Sequence, residues 1–208
     1  MKNVLKTIML MSCAMLMLTS LASCSKDDDD NKSGLSEQEK SQIFQAAQGT
    51  HTGDLFALYS STYGMYKVME DSLPDFKTTI QPDTTITVAD VPDSLFAMCL
   101  DKAYTEQNNL AQALHASNAT HTHRAKIYTL GYYDDSKSTY SYTSNYVTTN
   151  LTLNINGKDE PVSIITFMKV FYTPGTKVFS TLIIPQCFIY KDSQIYPSGT
   201  YFGILTRK

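Results

Sequence analysis

Across its second half the chain alternates. From Tyr146 to Ile155, Val147, Leu151, Leu153 and Ile155 share one parity, while Thr148, Asn150, Thr152 and Asn154 share the other. That is the period of a strand with one buried face. The run stops at Asn156-Gly157, a pair that tolerates the positive φ angles of a tight hairpin. Val162 to Tyr172 then returns, Pro174-Gly175 turns, Lys177 to Lys191 goes out again past a kink at Pro185, and Gly199 to Thr206 closes the pattern. With Ala125 to Tyr133 in front, this half predicts about five consecutive antiparallel strands joined by short turns. No parallel β-α-β alternation interrupts them.

The first half mixes periods. Ser36 followed by Glu39 is a capping box, Ile43, Phe44 and Ala47 fall on one helical face, and Gly49 is a natural stop. Thr50 to Tyr59 and Tyr63 to Met69 read as a hairpin around Ser60-Ser61-Thr62, and residues 70–83, with Pro74, Pro82 and several acids, read as loop. Thr84 to Val88 makes a short strand. Pro92-Asp93 opens a helical zone in which Leu95, Phe96, Cys99, Leu100 and Ala103 form one stripe, and Leu110, Ala111 and Leu114 continue it after a break near Thr105. These helices are too few for a bundle, so they cover a sheet. The expected fold is mainly β with short helices: an antiparallel sandwich or partly open barrel, with an N-terminal helix and a central helical cover.

Ahead of this body lies a segment with a different composition. Lys2 and Lys6 precede an apolar stretch from Ile8 to Leu18, too short to span a bilayer and suited to an export signal. Leu21-Ala22-Ser23-Cys24 resembles the lipobox of bacterial lipoproteins, and that resemblance implies cleavage before Cys24 and acylation of its thiol and new amino terminus. Asp27 to Asp30 then form a self-repelling run that predicts an extended tether. The organisation is a signal over 1–23, a lipidated tether over 24–34 and one β-rich domain over 35–208. A body of that length buries about 70% of its unfolded surface and needs no metal or disulfide staple. The chain carries 17 Lys+Arg against 20 Asp+Glu, a formal charge of −3, which argues against a nucleic-acid partner. Subtracting the signal's two Lys and the tether's two Lys and four Asp leaves that balance unchanged.

Cys24 followed by an acidic run resembles the surface-export signal of Bacteroidota lipoproteins, which implies an outer-membrane protein facing outward. The same chain has a short helix ending in Gly49-Thr50-His51-Thr52-Gly53, the strand Thr84-Thr85-Ile86-Thr87-Val88, the step Val91-Pro92 into a helix and a long β meander. Together these resemble a small family of Bacteroidota lipoproteins known only as a domain of unknown function. The resemblance brings no catalytic residues and no ligand.

The residues themselves offer little chemistry. With Cys13 in the signal and Cys24 lipidated, Cys99 and Cys187 remain, either as a disulfide closing a long loop or as two separate buried thiols. His121 and His123, two apart and with His115 nearby, have a spacing that zinc or copper accepts if a third ligand comes from elsewhere. No Cys or Glu stands at ligand spacing, so they read as loop histidines and no metal or other cofactor is expected. There is no Gly-x-Ser-x-Gly elbow, no phosphate-cradling glycine motif and no carboxylate pair suggesting hydrolysis. The stretch from Tyr128 to Tyr146 is different, because it sets tyrosines beside Ser, Thr, Asn and Asp, the mixture used by glycan- and protein-binding surfaces. Its candidate contacts are Tyr132, Tyr133, Tyr140 and Tyr142, grouped across a hairpin with its tip at Asp134 to Thr139. The expected function is a non-catalytic, lipid-anchored surface domain that binds a glycan or protein. A lipocalin-like carrier of a small apolar ligand is the alternative, and an envelope hydrolase a more distant one.

Overall fold

A computed structural model describes residues 35–61, 64–67, 72–132 and 139–206. The order is α1 (Glu37–Ala47), β1 (Gly49–Ser61), β2 (Gly64–Lys67), β3 (Leu73–Ile80), β4 (Thr85–Pro92), a 3-10 helix (Asp93–Cys99), α2 (Thr105–Ala116), β5 (Thr120–Tyr132), β6 (Tyr140–Ser144), β7 (Val147–Ile155), β8 (Lys158–Thr173), β9 (Val178–Tyr190), β10 (Ser193–Ile195) and β11 (Thr200–Thr206).

Eight of these strands close into an antiparallel barrel, in the order β1-β3-β4-β5-β6-β8-β9-β11 and back to β1. Closure decides between the two architectures left open by the sequence, and it removes the exposed edges that a sandwich would have to protect. The longest pairing in the ring is that of β8 with β9, running from Val162–Tyr190 to Thr173–Val178. β2, β7 and β10 extend the wall without entering the ring.

Each end of the barrel is covered by helix. α1 begins with the expected capping box: the Ser36 N–H donates to Glu39 Oε2 at 2.8 Å, and the Glu39 N–H donates to Ser36 Oγ at 3.3 Å. Its Ile43, Phe44 and Ala47 pack on the core. At this end the His51 ring lies flat on Phe179, 3.7 Å between centroids, and its Nε2 donates to the Ala47 carbonyl. Phe179 is bonded in turn to Thr206 at the last residue of β11. The first residue of β11 marks the opposite end: Cys99 Sγ donates to the Thr200 carbonyl at 3.6 Å and the Ser198 N–H donates to the Cys99 carbonyl at 2.7 Å. There the 3-10 helix and α2 bury Leu95, Phe96, Cys99, Leu110 and Leu114. The break expected near Thr105 is present: the first part of the stripe is a 3-10 helix ending at Cys99, and the α-helix begins at Thr105.

Residues 70–83 depart from expectation. Pro74 and the acids suggested a loop, yet Leu73 to Ile80 is a strand paired with β1. Phe76, Thr78 and Ile80 hold the strand period inward, while Pro74 and Asp75 form a bulge that hides it. Gly53 sits opposite, paired with Phe76 of β3 on one edge of β1 and with Thr206 of β11 on the other, and a Cβ there would run into the Leu205 carbonyl.

Candidate functional site

β5 and β6 form the predicted antiparallel pair, with Tyr132 in register with Tyr140 and Leu130 with Tyr142, while residues 133–138, most of the expected tip, lie outside the described residues. Its aromatic platform is not where it was expected. Tyr142 is fully buried, its hydroxyl donates to the Ile43 carbonyl at 3.1 Å, and its ring meets Phe44 edge-on at 6.4 Å. Burial pushes the Tyr142 hydroxyl pKa up, reinforced by Tyr172 and Tyr140. Tyr140 is half-buried against the same core. Tyr142 is therefore core, and a platform that includes it is corrected. On β6, buried Tyr142 and Ser144 alternate with half-buried Ser141 and Thr143, so Tyr142 takes the interior side of the wall. Tyr133 and the Tyr132 side chain lie outside the described residues.

The segment exposes its two ends instead. Tyr128 is 74% and Tyr146 70% exposed. A bulge between Ile127 and Thr129 throws Tyr128 outward, and the Asn145 N–H donates to the Lys126 carbonyl at 2.9 Å, joining the two strands within two residues of both rings. Tyr146 stands edge-on to Phe167 of β8, 6.0 Å between centroids. Exposed Lys126, Thr129, Asn145 and Thr148 lie in the adjoining positions. Two other strongly exposed tyrosines, Tyr104 and Tyr196, lie in connections rather than on the wall.

The histidines are not loop residues. Both sit in β5, and His123 is fully buried beside Phe96, with its Nδ1 3.3 Å from Thr166 Oγ1 and its Nε2 without a partner. Desolvation, with a smaller contribution from His121, holds its pKa down to about 4. His121 Nδ1 lies 2.6 Å from Asp93 Oδ1, on a carboxylate whose side chain is only 3% exposed. Ser117 Oγ donates to the other Asp93 oxygen at 3.2 Å. The three residue types are those of a hydrolytic triad, but the order is Ser–Asp–His. The hydroxyl is committed to the carboxylate rather than offered to the imidazole. The arrangement clasps the start of the 3-10 helix to the end of α2 and the start of β5. Asp93 escaped sequence reasoning because its partners lie in other elements. Among the described residues no three His, Cys, Asp or Glu gather to hold a metal.

Cys99 and Cys187 are buried free thiols rather than a bridge, and burial pushes the Cys99 pKa up. Such a thiol is inert as a nucleophile. The barrel interior is occupied by Phe96, Tyr142, Phe179, Phe188 and Phe202, all fully or almost fully buried.

Comparison with known proteins gives a family without an assigned role. No curated protein and no solved structure matches the chain. The model of one family, described as a domain of unknown function, matches residues 46–186. Since that match runs from the end of α1 into β9, through every strand from β1 to β8, the chain belongs to the DUF4840 family.

Proposed function

We propose that this protein is a lipid-anchored domain of the outer membrane, displayed at the cell surface of a Bacteroidota bacterium, that binds a glycan without transforming it. The observation that carries the reading is the exposure of Tyr128 together with that of Tyr146, whose ring stands beside Phe167. Flat aromatic faces next to the Asn145 amide and the Thr129 and Thr148 hydroxyls suit a saccharide, whose C–H faces stack while its hydroxyls take hydrogen bonds. A carrier role would require an interior ligand to displace the packed rings of the plugged barrel.

The anchor rests on Leu21-Ala22-Ser23-Cys24 and the acidic run behind it. Residues 24–34, extended, reach about 35 to 40 Å, enough to hold the domain clear of the lipid. Cys24→Ser is expected to leave the body folded but release it from the membrane fraction, because each lost acyl CH₂ removes about 0.8 kcal/mol of membrane affinity. Membrane retention of the folded variant would overturn the anchor. Replacing Asp27 to Asp30 with Asn is expected to preserve lipidation and lower accessibility to external protease.

For the ligand, the wild-type protein and a Tyr128→Ala/Tyr146→Ala variant are compared on an array of bacterial and host glycans. Binding by the wild type that the variant loses supports the platform. Equal binding by both moves the site elsewhere, and wild-type binding to nothing on the array removes the saccharide reading.

A further inference from the structure

The chain is acidic overall, with 17 Lys+Arg against 20 Asp+Glu, yet the wall around the exposed tyrosines has the opposite sign. β5, β6 and β7 contain no Asp or Glu, and β8 has its two, Asp159 and Glu160, within its first three residues. On the outer face of the same wall stand three cations. Arg124 and Lys126 of β5 are exposed and alternate with buried His123 and Ala125, and Lys169 of β8 is half-buried between Met168 and Val170, which point into the core.

The three differ in what balances them. Lys126 Nζ lies 2.7 Å from the Asp83 carboxylate, so that pair is neutral and its ammonium is committed. Arg124 Nη2 donates to an uncharged acceptor, Gln81 Oε1, at 3.3 Å. This bond steadies the guanidinium, removes none of its charge and leaves the rest of its fork open. Lys169 makes no ion pair among the described residues, and its Nζ stands 5.3 Å from the centre of the Phe171 ring. Burial holds its pKa below the ordinary lysine value, as expected of an ammonium that has lost water without gaining a counter-charge.

Both unbalanced cations flank the tyrosines. Thr129 of β5, Thr143 of β6 and Lys169 of β8 lie in one row across the wall, and Tyr128 adjoins Thr129. Phe167, which Tyr146 meets edge-on, is the neighbouring outward position to Lys169 on β8. On the other side the Lys126 carbonyl accepts from the Asn145 N–H, one residue from Tyr146, and Arg124 is the next outward position beyond Lys126. Arg124 and Lys169 are thus five residues apart along the strand direction and two strands apart across it, about 20 Å in all, with the aromatic pair between them.

We propose that the ligand of the aromatic platform is an acidic oligosaccharide, which stacks on Tyr128 and Tyr146 and pairs its carboxylates with Arg124 and Lys169. This rests on the saccharide reading of the platform and names its class. The planar guanidinium fork matches a carboxylate through two parallel hydrogen bonds. The Lys169 ammonium receives from the ligand the counter-charge that its own chain withholds. A separation of about 20 Å calls for a chain of rings rather than one, and a neutral chain would leave both charges unbalanced.

The test is calorimetric titration of the detergent-extracted protein with a panel of oligouronates, each paired with its carboxyl-reduced, neutral counterpart. Expected is binding of an oligouronate at least about tenfold tighter than of its reduced form, weakening as salt is raised. Arg124→Ala and Lys169→Met should each lower that ratio, and the double variant should bring it to about one. Met keeps the apolar stem of Lys169 in place, so the circular dichroism spectrum should match the wild type. Tyr128→Ala/Tyr146→Ala should lose both forms. Equal affinity for the acidic and reduced forms would overturn the proposal and leave the saccharide reading standing, whereas binding to no member of either series would remove both. A preference for the acidic form that survives in the double variant would also overturn it, because the charge would then be read elsewhere. So would tighter binding of a single-stranded oligonucleotide, whose bases stack and whose phosphates pair with the same groups, if Arg124→Ala/Lys169→Met abolished it.

Discussion

The barrel wall has two unlike sides. Along β8, β9, β11 and β1 both faces are apolar: Met168, Ile183, Phe202 and Ala57 point into the barrel, while Leu58, Phe171, Leu182 and Tyr201 form a second buried cluster on the outer face. Along β3, β4 and β5 only the inner face is apolar, and Lys77, Thr122, Arg124 and Lys126 stand outside. The β3 and β4 bulges, with Asp75 and Asp90 at positive φ, lie on this second side, and the exposed Tyr128 and Tyr146 lie at its border with β6. Apolar surface on both faces makes a wall with many contacts and little to offer a polar ligand. The polar side has fewer contacts to lose, so it can accommodate kinks and exposed rings. On this reading, stability and recognition reside in opposite sides of one cylinder.

Leu182→Ala is the most direct way to break that partition. Leu182 is fully buried on the outer face between Lys169 and Gly203, and removing its side chain should cost about 2–5 kcal/mol in urea unfolding. Arg124→Ala, exposed on the other side, should stay within about 0.5 kcal/mol. Similar losses at both positions would mean that the outer cluster is no more structural than the polar surface.

The second test concerns pH. On the inner face of the polar side, β5 carries His123 where the other wall carries aliphatic residues. Its pKa is held down to about 4, against 6.5 for a free imidazole, by desolvation first and then by His121, which is itself paired with Asp93. Between these two values the unfolded chain binds a proton that the folded chain refuses. This contribution is therefore full above pH 6.5, falls as pH drops, and is exhausted near pH 4. The whole step amounts to about 3 kcal/mol. Unfolding measured from pH 7.5 to 4 should show this slope, and His123→Leu should flatten it. An unchanged slope would assign the acid sensitivity to other groups.

These two regions were unequally legible in the sequence. The doubly apolar wall was readable as strands, because β8 and β9 are long and their turns carry local signals such as Asn156-Gly157, both at positive φ. Its closure was not, since pairing β6 with β8 and β1 with β11 depends on contacts far apart in sequence. β3 was misread because a Pro-Asp bulge breaks the period of two on which strand recognition depends. The same limit governed the histidines. His121 and His123 stood out by spacing, but their partners Asp93 and Thr166 are supplied by the 3-10 helix and by β8. Among the tyrosines, the segment was identified and its members were misassigned, because burial of Tyr142 is decided by α1 closing the barrel end.

That closure makes the third prediction. Tyr142→Phe keeps the ring in the core and removes only the hydroxyl bound to the Ile43 carbonyl, so it should cost about 0.5–1.5 kcal/mol. Hydrogen exchange should then rise in α1 more than in β6. Uniform acceleration throughout the barrel would show that α1 does not open separately.

The smallest expected effect on stability is at the border tyrosines, and it sharpens the comparison most. Tyr128→Ala removes a ring that is 74% exposed and should leave stability within about 0.5 kcal/mol of the wild type. Tyr146→Ala should cost slightly more, because that ring meets Phe167 edge-on, a contact worth about 0.5–1.5 kcal/mol in buried pairs and less at an exposed position. A double-mutant cycle over Tyr146 and Phe167 measures the coupling directly. A small coupling leaves Tyr146 free to be kept for contact with a partner. A coupling as large as that of a buried aromatic pair would instead make Tyr146 part of the structural wall, and the boundary between the two sides would have to be drawn beyond it.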